Sequence, residues 1–185
     1  MPKKRNKNHG NNQHLRQGNI SLILDTYDDI FSDFDPRHYS ERALSDDFLY
    51  ECKKAVRERT ESEVGLELRL LIPRKKHNSV TEQVIKKRLH AHFKKHFAKR
   101  LKERKETRKW GLFWCLIGSA LIYSATLLHQ FEGMFFDFLL VILEPAGWFT
   151  MWIAFDMLFS AQKEKEPDFL FYKAMANVKL SFREY

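Results

Sequence analysis

Hydrophobic positions repeat along this chain in three different ways. In the first, apolar residues alternate. Ile20, Leu22 and Leu24 share one face, as do Leu66, Leu68, Leu70 and Ile72 opposite Glu67 and Arg69. Near the C-terminus Val178, Leu180 and Phe182 alternate with Lys179, Ser181 and Arg183. A period of two is that of a half-buried strand, so these segments predict three strands, the second closed by Pro73. In the second pattern the spacing is close to four. Phe48, Leu49, Cys52 and Val56 make the apolar face of a helix between the first two strands, with Ser45 as its N-cap and Asp46 and Asp47 at its positive end. Strand, helix, strand predicts a right-handed crossover and a parallel pair. Ile85, Leu89, Phe93, Phe97 and Leu101 make the face of a second helix. Ser79-Val80-Thr81-Glu82 reads as its capping box, and no Pro or Gly interrupts it before Gly111.

The third pattern is unbroken apolarity. Trp110–His129 carries no formal charge and has about the 20 residues that a helix needs to cross the hydrocarbon core of a bilayer. Met134–Phe159 is longer and is interrupted by Asp137, Glu144 and Asp156. Only Gln130–Gly133 separates the two runs, which forces an antiparallel hairpin. Small residues recur in both, Gly111, Cys115, Gly118, Ser119 and Ala125 in the first and Gly147, Thr150 and Ala154 in the second. Such residues let helix backbones approach closely in lipid, either within one hairpin or between protomers.

The predicted fold is therefore α+β: a small three-stranded sheet with two helices, interrupted by a transmembrane helical hairpin. The boundaries are a basic tail at 1–18, an α/β part at 19–78, a basic amphipathic stalk helix at 79–109, the hairpin at 110–160 with spans 110–129 and 134–159, and a C-terminal segment at 161–185 carrying the last strand. A three-stranded sheet leaves open edges and a thin core, which favours homo-oligomers.

Charge orients this arrangement. Residues 86–109 hold twelve Lys or Arg and two Glu, a net of +10 in a chain of +8, so the remainder sums to −2. Lys99, Arg100, Lys102, Arg104, Lys105, Arg108 and Lys109 precede the first span, Lys163 and Lys165 follow the second, and the turn between has Glu132 and no Lys or Arg. The positive-inside rule then predicts a multi-pass membrane protein with both termini cytoplasmic. The same seven basic residues are expected to contact anionic lipid headgroups. Specific nucleic-acid binding is not expected, because the segment has no aromatic platform or recognition motif. Met1–Gly18 is basic and amide-rich with no apolar run behind its charges, so no secretory signal is expected, and its Pro2–Lys7 run reads as a basic tail rather than nuclear targeting. Cys52 and Cys115 read as free thiols, not a disulfide.

Glu144 is the foremost candidate for chemistry. An acid inside an apolar span is costly and should face protein or water. Folding the hairpin about Gln130–Gly133 sets Glu144 at the depth of Ser119 and Tyr123, both able to hydrogen-bond a carboxyl group, and Pro145 should kink the helix beside it. Asp137 lies nearer the outer interface, and Asp156, nearer the inner one, is placed to pair with Arg108 or Lys109. His92 and His96 have the helical spacing of a metal pair. Lys94, Lys95 and Lys99 surround them, so no metal is expected and a solvated or lipid-facing helix is read there. Asp25, Asp28, Asp29, Asp33 and Asp35 miss the calcium-loop spacing and read as a solvated acidic connection, with contact to the basic stalk of its own or a neighbouring chain as the second reading.

The stretch YDDIFSDFDPRHYSERALSDDFL at Tyr27–Leu49, followed by ELRLLIPR at Glu67–Arg74, resembles a microbial family of small proteins with two membrane spans and no assigned activity. The resemblance implies the same architecture and brings no substrate, cofactor or site. It draws notice to Asp35–Ser40, where Pro36 marks a turn and Arg37 is placed to pair with acids. No Ser/His/Asp set or phosphate loop is present, and seven glycines leave little for one. Two functions remain. One is a non-enzymatic membrane scaffold or regulatory module that binds a protein partner or oligomerises. The other is a small oligomeric channel or transporter using Glu144. No cofactor is expected in either.

Overall fold

The computed structural model describes residues 19–58 and 66–185, so the basic tail at 1–18 lies outside the described residues. The elements in chain order are β1 (Asn19–Ile23), α1 (Asp46–Arg57), β2 (Glu67–Ile72), α2 (Ser79–Leu128), α3 (Met134–Phe155), α4 (Ala161–Ala176) and β3 (Lys179–Glu184). The chain divides into two compact units. One runs to Phe97 and takes in Phe171–Tyr185; the other is Ala98–Leu170.

The first unit is a parallel sheet of order β1-β2-β3. Register places Ile20, Leu68 and Leu180 in one row and Leu22, Leu70 and Phe182 in the next. These rows form one face, and on it Ile20, Leu68, Leu70 and Ile72 are buried with Phe48 and Cys52 of α1 and Ile85, Leu89 and Phe93 of α2. The alternation in all three strands thus faces the core as the sequence predicts. The other face is polar: Glu67 accepts from Arg69 Nη2 at 2.9 Å and from Ser181 Oγ at 2.8 Å. These partners hold the Glu67 carboxyl below its usual range, Arg69 most of all. Burial pushes the Cys52 thiol up to about 12, which makes it an inert core residue.

Two local readings are corrected. The N-cap of α2 is Asn78, not Ser79. Asn78 Oδ1 accepts from the backbone N–H groups of Val80 at 3.0 Å and Thr81 at 3.2 Å. Glu82 does not close a capping box, because it is drawn into the core. It is 5% exposed, accepts from the Tyr27 hydroxyl at 2.8 Å and lies 3.3 Å from His77 Nδ1. Asn caps as well as Ser, and a buried tyrosine hydroxyl needs a partner, so tertiary packing decides between two adequate caps. Burial, partly offset by the N–H of Asn78, raises the Tyr27 phenol to about 12.

The second correction is α4. The C-terminal segment at 161–185 carries the last strand as predicted, but ahead of it Ala161–Ala176 forms a helix that the predicted two-helix fold lacks, with Pro167 inside it. Its last turns bury Phe171, Tyr172, Met175 and Ala176. The sheet unit is therefore built from three helical segments rather than two. The charged stretch Lys163–Glu166 and the proline mask an apolar face confined to the helix's C-terminal end.

As predicted, α2 is one 50-residue helix. Two helical stretches, Ser79–Leu128 and Met134–Ala176, are long and apolar enough to cross a membrane. Gly133 starts α3 with φ of +133°, a conformation that favours glycine.

Candidate functional sites on the apolar hairpin

Small residues set how α2 and α3 pack. A methyl group added at Gly111 would come 2.8 Å from the Leu158 side chain. One at Gly118 would meet the Met151 backbone nitrogen at 3.1 Å, and one at Gly147 would meet Ile122 Cγ1 at 2.7 Å. Partners descend in one helix as they ascend in the other, so the helices are antiparallel. Ala125 and Ala154 are also buried, and Cys115 Sγ lies 3.7 Å from Met151 Sδ. The stripe therefore closes the hairpin on itself. Ser119 is off it and exposed.

This register overturns the expected surroundings of Glu144. Its carboxylate lies 2.9 Å from His129 Nε2, and Ser119 and Tyr123, both exposed, make no hydrogen bond to it among the described residues. The offset that sets Gly118 against Met151 and Ile122 against Gly147 puts Glu144 opposite Ala125, nearer the turn by more than one helical turn. The chain climbs after Leu128 before α3 begins, so the hairpin is not folded symmetrically about Gln130–Gly133. His129 is the last residue of the predicted first span, and nothing local in the sequence marks it as the partner of Glu144. The side chains of Glu144 and His129 are 52% and 61% exposed, on the outside of the hairpin. Pro145 lies within an unbroken α3 and removes one backbone donor there. The hydroxyls of Ser124, Thr126 and Thr150 donate to carbonyls four residues back in their own helices. Asp156 opens a π-helical turn, Asp156–Ser160, and has no ion pair among the described residues, so the expected link to Arg108 or Lys109 is absent there.

The basic flank is divided. Arg100 reaches Glu103 at 3.2 Å and Asp168 at 3.1 Å. Arg104 lies over the Phe169 ring, 4.8 Å from its centroid, and 3.7 Å from Glu166. Lys102 stands 3.8 Å from Glu106. Lys99, Lys105, Arg108 and Lys109 are exposed. Of the seven residues expected to meet headgroups, Arg100 is already engaged by protein carboxylates. Asp168, the α4 acid that engages it, comes 68 positions later, and no local pattern announces it.

The remaining candidates are structural. His92 and His96 stack with centroids 4.3 Å apart, and His96 stacks on Tyr172 at 5.2 Å. That corrects the solvated reading of this segment. Burial pulls His92 down to about 4, with His96, Arg88 and Lys95 adding to the effect. In the acidic connection, Arg37 forks onto Asp35 at 2.8 and 2.7 Å, and the Ala43 N–H donates to Asp35 at 2.7 Å. These bonds hold the Asp35 carboxyl well below the usual range. Arg42 pairs with Asp28 at 2.6 Å, and Asp29 accepts from the N–H groups of Asp25 and Thr26. The acids are largely turn-building groups, and Arg37 pairs as expected. Among the described residues, no three His, Cys, Asp or Glu side chains gather where a metal ion could be held.

No known protein family matches this chain, and no curated protein or solved structure is significantly similar to it, so the likeness of Tyr27–Leu49 and Glu67–Arg74 to a two-span family stands on those residues alone.

Proposed function

We propose that this chain is an integral membrane protein in which the α2–α3 hairpin anchors a small cytoplasmic sheet domain, the whole serving as a non-enzymatic scaffold or regulatory module. One observation carries the reading: the hairpin is packed inside out. Gly111, Gly118, Gly147 and Ala154 are interior, whereas Leu116, Phe149 and Trp152 are each more than 70% exposed. Water would reverse that choice, because burying the large side chains removes far more apolar area. Lipid makes the large side chains indifferent and leaves close backbone packing as the force between the helices. The exposed Lys99, Lys105, Arg108 and Lys109 beside Trp110 suit an anionic cytoplasmic leaflet.

The sheet supports the scaffold role. Parallel sheets are ordinarily covered on both faces, and here the core lies against one face of three strands. The polar face and the two edge strands are surfaces for a protein partner or a second copy.

A second reading, an oligomeric channel or transporter, draws on the exposed His129–Glu144 pair. An ionisable pair facing lipid is costly, and a neighbouring protomer would cover it. One hairpin encloses no path, so this reading needs the oligomer.

Labelling of single cysteines in a background with both Cys52→Ala and Cys115→Ala tests the anchor. Gln130→Cys should react from outside intact cells and Lys163→Cys only after permeabilisation, with the protein retained in membranes through an alkaline carbonate wash. Release by carbonate, or the reverse labelling, overturns the proposal. Loss of ion flux in Glu144→Gln vesicles, with assembly intact, would favour the second reading over the first.

A further inference from the structure

Resting on the membrane reading above, we infer that a cleft between α2 and α4 binds the phosphate group of an anionic phospholipid. Arg104, Gln162, Lys165 and Phe169 are among its lining residues, with the carboxylates Glu103 and Glu166, and it is shallow and partly open to the surroundings. A phosphate therefore sits at its mouth, against the donors, rather than inside it.

Three donors line it without a hydrogen-bonded protein acceptor among the described residues. Arg104 is fixed over Phe169, and its separation of 3.7 Å from Glu166 is beyond N–H···O bonding distance. Its five N–H groups make no hydrogen bond among the described residues. Gln162 Nε2 is buried and has no hydrogen-bond partner. A buried amide left so is uncommon and signals an absent acceptor. Lys165 is exposed and unpaired among the described residues. Arg100, by contrast, is neutralised by Glu103 and Asp168 and adds no free charge.

The chemistry selects phosphate. A planar guanidinium, an amide and an ammonium together match a tetrahedral group with several acceptor oxygens. Glu166 faces the same guanidinium and competes for it, so a dilute free anion gains little. A headgroup is already concentrated at the surface, which removes much of that handicap. Arg104 lies six residues before Trp110, about 9 Å along the helix, which is headgroup depth if the apolar run begins the hydrocarbon core.

The test uses the full chain in neutral detergent, with binding read by native mass spectrometry. Dioctanoyl phosphatidylglycerol should bind at least tenfold more tightly than dioctanoyl phosphatidylcholine, which carries the same phosphodiester without net charge. Inorganic phosphate should be weaker again. Gln162→Leu and Arg104→Lys should each cost about tenfold, the latter because charge is kept and the fork is lost, while Lys75→Gln, at an exposed position of the sheet unit, should change little. Melting temperatures identify any variant that has unfolded, and Lys165→Gln, at an exposed position, then serves in its place. Wild-type affinity in the folded variants overturns the cleft. Equal binding of inorganic phosphate overturns the lipid as its source. Failure of lipid binding with carbonate-resistant membrane retention overturns the cleft alone, whereas release by carbonate overturns the membrane reading beneath it.

Discussion

In the sheet unit Phe31, Phe93 and Met175 are fully buried, while Glu67 and Arg69 pair on the opposite face of the sheet. In the hairpin unit Gly118, Gly147 and Ala154 are buried, while Trp148, Phe149 and Trp152 are exposed. With the hairpin in a membrane, as proposed, the two units obey the same packing physics in different surroundings. Where water is the alternative, the largest apolar side chains go inside because their removal from water stabilises most. Where the surroundings are themselves apolar that gain vanishes, and the closest backbone approach decides the interior. Helix α2 contributes to both regimes, with Ile85, Leu89 and Phe93 inward in its first part and Gly111 and Gly118 inward in its second.

The sharpest way to break this comparison is to truncate one large side chain in each unit. Leu70→Ala removes a fully buried residue from the middle strand, and the sheet unit should lose about 2–5 kcal/mol in denaturant titration. Phe149→Ala in detergent should change stability by no more than about 0.5 kcal/mol. Similar losses at the two positions would mean that Phe149 is an ordinary core residue, and the inside-out packing would be wrong.

Enlarging a small residue inverts the test. Gly118→Leu drives a side chain against the Met151 backbone, which has no rotamer by which to yield. About 1–3 kcal/mol should be lost from the hairpin, read as easier protease cleavage near Gln130, with the sheet unit still resistant. Leu116→Ala, on the outer surface, should leave cleavage unchanged. Cleavage equal to wild type in Gly118→Leu would sink the packing register.

A smaller effect is a pH dependence carried by the sheet unit. His92 titrates near 4 when folded, against an ordinary 6.5, so the unfolded chain takes up its proton first as pH falls. The stability that neutral His92 contributes is complete above about 6.5 and is lost as pH drops toward about 4. Thermal melts across that window should show the decline. His92→Phe should flatten it in part, since His90 is lowered in the same direction by burial. A slope unchanged by the substitution would assign the pH dependence to other groups.

Much of the architecture was legible because it is local. Alternation in Leu66–Ile72 specifies a buried face whatever its neighbours are, and the four-residue repeat from Ile85 does the same for a helix. The parallel pairing of β1 with β2 followed from the helix between them. The C-terminal strand was visible as a strand, and it adds to β2 as an apolar face without another cover must. Helix α4 was not legible, since Lys163–Glu166 and Pro167 hide an apolar face that begins only at Phe171. The cap of α2 was misplaced by one residue, because Asn78 and Ser79 are both good caps and the choice was made by Tyr27 holding Glu82.

By itself, then, the sequence determined three strands, the helix periods, the two apolar runs and the segregation of charge, all of which arise from residues within a few positions of one another. Tertiary structure alone decided the groups that meet: His129 with Glu144, Asp168 with Arg100, and Tyr27 with Glu82. The physical reason is register. Sliding one helix along another by a single turn, about 5.4 Å, preserves every local pattern and changes every partner. That offset is set here by where Gly118 and Gly147 let two backbones touch.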